Sequence, residues 1–155
     1  MKSGAKMIIQ TKYLGEQEVA TENIWTFEEG IPSFEDEKEF AFMQMSTDAP
    51  FYALQSINTP DLTFVVINPF EFNQAYEFKL SDSVIRQLNI NDKQDVQVFV
   101  ILTIAEPFER TTANLQAPII VNTKTKHAKQ VVLIDEKYLT KHLLFQTVSS
   151  LSKEG

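Results

Sequence analysis

The chain holds only two imidazoles, His127 and His142, fifteen residues apart. That is not the i,i+4 spacing with which a helix presents a zinc pair, so they read as a loop histidine and a strand histidine. A serine nucleophile would want a G-x-S-x-G turn, and none occurs. Cysteine is absent, which removes thiolate metal sites, disulfides and cysteine nucleophiles together. The four glycines, Gly4, Gly15, Gly30 and Gly155, are too scattered to build a phosphate-cradling loop. Acids crowd one stretch: Glu28, Glu29, Glu35, Asp36, Glu37 and Glu39. A carboxylate pair for acid–base work is conceivable there, but six acids beside turn residues more often form a solvated, mutually repelling loop. The Asp-x-Asp-x-Asp-Gly order of a calcium loop is missing. No metal, no cofactor and no enzyme activity is expected.

Charge and aromatics say more. The 155 residues carry 21 acids and 14 bases, and the pI is near 4.8. That balance argues against direct nucleic-acid binding, which depends on lysine and arginine at phosphates. It suits a basic protein partner, or plain solubility. The charge is also uneven: residues 1–110 hold 18 acids against 8 bases, and residues 111–155 hold 3 against 6. One reading is a polarised solvated surface. The sharper one is an acidic face that steers a cationic partner, with the basic segment kept away from it. Twelve phenylalanines occur, several beside turns, among them Phe27, Phe34, Phe51, Phe70, Phe72 and Phe108. Most must be core, while a minority at turn edges could form an exposed interface patch.

The elements that position these residues are short. Residues 23–27, 40–45, 51–56, 63–67, 75–80, 96–105, 118–122 and 128–134 read as strands broken by turn residues. The run from 96 to 105 is the longest and the candidate central strand. One helix intervenes, capped by Ser81 or Asp82, with Val84, Ile85 and Leu88 on its apolar side. Many short strands with a single helix predict a mostly β fold, a small antiparallel β-barrel-like domain with one short helix. Residues 1–6 lack periodicity and precede a second methionine, Met7. They read as a disordered leader or an expression remnant, residues 7–146 as the single domain, and residues 147–155 as a frayed tail. No run approaches the ~20 apolar residues of a membrane helix, and no secretory signal is visible. A soluble protein of the cytoplasm, with no membrane contact, is expected.

At the turns the sequence resembles the flagellar assembly factor FliW family. The resemblance rests on Phe27-Glu-Glu-Gly-Ile-Pro-Ser-Phe-Glu35, Pro50-Phe-Tyr-Ala-Leu-Gln-Ser56, Phe64-Val-Val-Ile-Asn-Pro69 and Thr112-Ala-Asn-Leu-Gln-Ala-Pro-Ile-Ile-Val-Asn122. Ala128-Lys-Gln-Val-Val-Leu133 followed by Tyr138-Leu-Thr-Lys-His-Leu-Leu144 completes it, over about residues 7–145. Ser33 departs from the pattern where a glycine is common, and Lys141 and Leu143 replace a frequent arginine and proline.

The resemblance implies a non-enzymatic partner switch. Such a protein binds newly made flagellin in the cytoplasm. When free, it binds the dimeric RNA-binding repressor CsrA and so relieves repression of flagellin translation. Glu28, Glu29, Asn68, Pro69, Phe70, Glu71 and Glu77 are the candidate partner-binding residues, with Glu71 and Glu77 the first choice for facing CsrA. Gly30, Pro32, Asn114, Pro118 and Asn122 are expected to be structural. A catalytic or small-ligand barrel and a general chaperone are the alternatives.

Overall fold

Residues 5–45, 50–134 and 137–145 are described by the computed structural model. Eleven strands form among these residues, those at the centre of the sheet from runs rich in Phe, Val and Ile. They are β1 (Lys6–Gln10), β2 (Glu16–Ala20), β3 (Ile24–Thr26), β4 (Glu39–Gln44), β5 (Phe51–Ser56) and β6 (Thr63–Ile67). After the helix α1 (Asp82–Gln87) come β7 (Val96–Thr103), β8 (Thr112–Ala113), β9 (Ile119–Asn122), β10 (Ala128–Gln130) and β11 (His142–Leu143). Ser81 caps α1, its hydroxyl accepting the Val84 N–H.

Apart from the β1–β2 hairpin, the strands form one antiparallel sheet in the order β10-β9-β7-β6-β5-β4-β3, with β8 paired to β7 and β11 to β8 off this path. The long strand β7 is central. It pairs with β6 along one edge, and with β9 and then β8 along the other. The barrel-like sheet does not close into a full ladder. Its two ends meet at a single bridge, where the Thr26 N–H donates to the Lys126 carbonyl at 2.9 Å beside His127. We call this contact the seam.

The two faces of the sheet are built differently. Register puts Trp25, Phe40, Leu54, Val66, Phe99, Ile119 and Val121 on one side, where they form a continuous core. The opposite side is covered in pieces. The β1–β2 hairpin lays Ile9 and Val19 over Ala41. Tyr76, Leu115 and Tyr138 cover Ile67, Val100 and Leu102. α1 sets Val84 and Leu88 on Ile120. Strand β9 is therefore buried on both faces, with Ile119 and Val121 inward and Ile120 and Asn122 outward.

Three differences from the sequence reading have physical causes. Residues 75–80 are not a strand, although Tyr76 is buried between exposed neighbours as the alternation demands. Their amides bond elsewhere: Tyr76 N–H donates to the Asn73 carbonyl and Glu77 N–H to the Tyr138 hydroxyl. Strand β10 stops at Gln130 because the partner strand continues into Pro118, which has no N–H to give. The chain still runs alongside, with Val131 and Leu133 donating to the Pro118 and Gln116 carbonyls. The β1–β2 hairpin was not anticipated, and Lys6, read as leader, already pairs with Ala20. Residues 1–4 of the leader and the whole of the tail, 147–155, lie outside the described residues.

Candidate partner-binding site

The candidate residues fall at two places, both touching α1. Around the first, Asn68 holds a tight turn, its Oδ1 accepting the Phe70 N–H at 2.9 Å. Pro69 fixes the first position of the one-turn 3-10 helix Pro69–Glu71 and is buried. The turn leaves Phe70 41% exposed with its ring 6.0 Å from that of Tyr76. Glu71 stands exposed on the same turn. The Tyr138 hydroxyl accepts the Glu77 N–H at 2.9 Å and donates nothing to its carboxylate, which stays outside. Phe70 and Glu77 border a groove of about 680 Å³ whose walls include Tyr76, Phe78, Leu80, Ile85, Ile90, Val98 and Ile120. Glu77, Lys79, Asp82 and Lys93 stand around it.

Burial raises the Tyr76 hydroxyl pKa far above the usual phenol value, helped by Tyr138 alongside. The neutral hydroxyl donates to the Leu115 carbonyl at 2.6 Å. Tyr76 is thus a fixed wall of the groove. A floor of aliphatic and aromatic carbon with charges confined to the rim offers apolar contact, not acid–base chemistry.

Glu28 and Glu29 lie at the second place, the corner beside the seam. Glu28 Oε2 is 3.2 Å from His127 Nδ1, and Glu29 is bonded to the Lys129 ammonium. That hydrogen bond, and then the charge behind it, holds the Glu29 carboxyl below the usual carboxylate range. The cavity here is only about 90 Å³ and is lined also by Gln87 and Leu88. Lys124 reaches Asp95 nearby at 3.7 Å. The basic segment is therefore not kept away from the acids. The β9–β10 turn folds it directly against them, so the charge blocks separated in sequence partly neutralise in space.

The residues expected to be structural sit in tight turns or buried bonds. Gly30 has φ +72°, and a Cβ there would fall 2.4 Å from the Glu35 carbonyl oxygen. Pro32 is exposed in the adjoining turn, beside Ser33 at φ 75°. Asn114 Oδ1 accepts the Gln116 and Ala117 amides at 3.1 and 3.0 Å. Pro118 ends the β9–β10 ladder as described. Asn122, 2% exposed, uses both ends of its amide. Nδ2 donates to the Leu88 and Asn89 carbonyls, and Oδ1 accepts the Lys124 and Thr125 amides.

Of the aromatics beside turns, the candidates for lining an apolar groove that takes a helical segment, Phe70 borders this one. A second apolar hollow of about 300 Å³ lies among Tyr13, Phe51, Val65, Ile104 and Phe108. Phe51 and Phe108, which flank turns, meet there edge to face. Phe27, by contrast, is fully buried. His142 sits in β11 with its ring 6.0 Å from Phe72, and burial keeps its pKa below the usual imidazole value. No helix among the described residues is long and apolar enough to cross a membrane.

Comparison with known proteins fits this architecture. The flagellar assembly factor FliW of Bacillus subtilis is 54% identical over 136 residues, covering 88% of this chain and 95% of that protein. The Geobacillus kaustophilus protein of the same name is 50% identical over 139 residues, covering 90% and 96%. A crystal structure of the flagellar assembly factor FliW superposes with a TM-score of 0.84 at 48% identity, covering 89% of this chain and 96% of that one. The family model described as FliW protein matches residues 7–144. With that span matched, and with relatives this similar along nearly their whole length, the chain belongs to the FliW family of flagellar assembly factors.

Proposed function

We propose that this assembly factor acts in the cytoplasm without catalysis, as a switch between two protein partners. It covers an apolar helical segment of unassembled flagellin. When released, it captures the dimeric repressor CsrA and lifts repression of flagellin translation. The observation that carries the reading is the groove beside α1. Its apolar floor and charged rim suit the stripe of an amphipathic helix, whose anchors recur at i, i+3 and i+4. The overall acidity supports the second partner, since an RNA-binding protein must present basic surface.

Titration of the purified protein against flagellin and against CsrA tests both halves. The switch binds each at a defined stoichiometry; a general chaperone would bind many unfolded chains, and an enzyme neither. Phe70→Ala should weaken flagellin binding by about tenfold while leaving the fold intact, as exposed substitutions usually do. Glu71→Lys with Glu77→Lys should weaken CsrA, and the CsrA association rate should fall as salt rises from about 50 to about 500 mM. A rate flat over that range removes electrostatic steering from the reading.

A further inference from the structure

The groove and the acidic corner share a wall. α1 gives Ile85 to the groove and is followed directly by Leu88 at the corner cavity. One side chain ties that wall to the seam. The buried amide of Asn122 holds the end of α1 by Nδ2, at 2.7 Å to the Leu88 carbonyl and 3.2 Å to that of Asn89. Its Oδ1 holds the β9–β10 turn, at 2.9 Å to the Lys124 N–H and 3.3 Å to that of Thr125. The Asn122 main chain grips the same turn, through its carbonyl to Lys126 and its N–H to the His127 carbonyl.

Asn89, at φ 54°, is the left-handed residue with which α1 closes on itself, its N–H donating to the Arg86 carbonyl and that of Ile90 to the Ile85 carbonyl; the β9–β10 turn holds a left-handed lysine, Lys126 at φ 65°. Such backbone persists only where its surroundings hold it. The turn held by Asn122 leads directly into the seam and into β10. Lys126 supplies the carbonyl bonded to Thr26, and His127 and Lys129 supply the partners of Glu28 and Glu29. A planar amide bonded at both ends cannot let one neighbour shift without pulling on the other.

We propose that Asn122 couples the groove to the corner, so that a change in how α1 is seated alters how firmly the seam is clasped. Building on the proposed function, a helix lodged against Ile85 resets the availability of Glu28 and Glu29, and a partner drawing those acids away from His127 and Lys129 loosens α1. Linkage makes the two effects equal in free energy.

The test uses the free protein, so that its failure is distinct from failure of either partner titration. Amide hydrogen exchange is measured at Thr26 and at Leu88, each relative to Leu54 at the sheet centre, which reports global opening. Ile85→Ala should speed Thr26 exchange by about fivefold relative to Leu54, the lower end of ordinary coupling. In an Asn122→Asp background, where the new oxygen faces the Leu88 and Asn89 carbonyls, the same change should leave that ratio near one. Lys129→Met provides the reciprocal arm, with Leu88 exchange rising in the native Asn122 background; it decides the matter if Asn122→Asp fails to fold. An unchanged Thr26 ratio in Ile85→Ala, or an unchanged Leu88 ratio in Lys129→Met, overturns the proposal.

Discussion

The two faces of the sheet meet the same requirement, burial of apolar strands, in opposite ways. The inner face is covered by itself. Curvature brings Trp25 of β3, Phe42 of β4 and Phe99 of β7 into mutual ring contact, at 4.4 to 5.7 Å. The outer face must borrow cover from a hairpin, a looping segment and a six-residue helix. Three separate covers cannot tile a curved surface without a gap, and the groove is that gap. A self-covering core gives stability, and a patchwork cover gives a place to bind.

Substitutions on each face sharpen this contrast. Phe40→Ala, at a fully buried ring packed on Phe27 and Phe64, should cost about 3–5 kcal/mol of unfolding free energy. Denaturant titration measures it, and a loss near 1 kcal/mol would mean that the inner core relaxes around the hole. Ile120→Ala, beneath α1, should cost about 2–5 kcal/mol, towards the lower end because a helix of two turns can settle into the space. If Ile120→Ala proves the more damaging of the two, the contrast between the faces is wrong.

Smaller effects come from the acidic loop between β3 and β4. Ser33 carries φ 75° without the freedom of glycine, so Ser33→Gly should stabilise the protein by about 0.5–1 kcal/mol, read as a rise in melting temperature. Glu37 accepts the Ser56 and Thr59 hydroxyls, both at 2.6 Å. Those bonds lower its pKa below the ordinary carboxylate value. Its folded pKa is depressed, so its contribution is present above the unfolded value and is lost as pH falls through the folded one. The stability gap between the parent and Glu37→Gln should therefore narrow on acidification from neutral pH to below 4.5. A gap that widens would reverse the assigned sign.

Legibility of the sequence followed whether a segment's pattern and its hydrogen bonding agree. Residues 51–56 and 63–67 were readable to the residue because both their side chains and their amides belong to the sheet. Residues 75–80 share the side-chain pattern but send amides to a turn and to a tyrosine hydroxyl, and period alone cannot tell the two apart. The β1–β2 hairpin escaped notice because one of its strands is Glu16-Gln-Glu-Val-Ala20, with a single residue, Val19, buried beneath it. For the site, Phe70 and Glu77 could be picked out from turn chemistry. Ile90, Lys93 and Val98 reach the same groove only through the path of the chain after α1. The pairing of Lys129 with Glu29, one hundred residues apart, had no local signal at all.

The chain's one tryptophan has a practical consequence. Trp25 lies next to Thr26, is 4% exposed and stacks on Phe42 at an interplanar angle of 11°. An indole so placed emits from a dry, ring-lined environment. If the seam parts, water reaches it and its emission moves to longer wavelength, with a new susceptibility to collisional quenchers. The molecule thus carries an intrinsic optical gauge at the point where the two ends of its sheet are joined by a single bridge. Seam opening can be followed on the unlabelled protein, on the timescale of mixing.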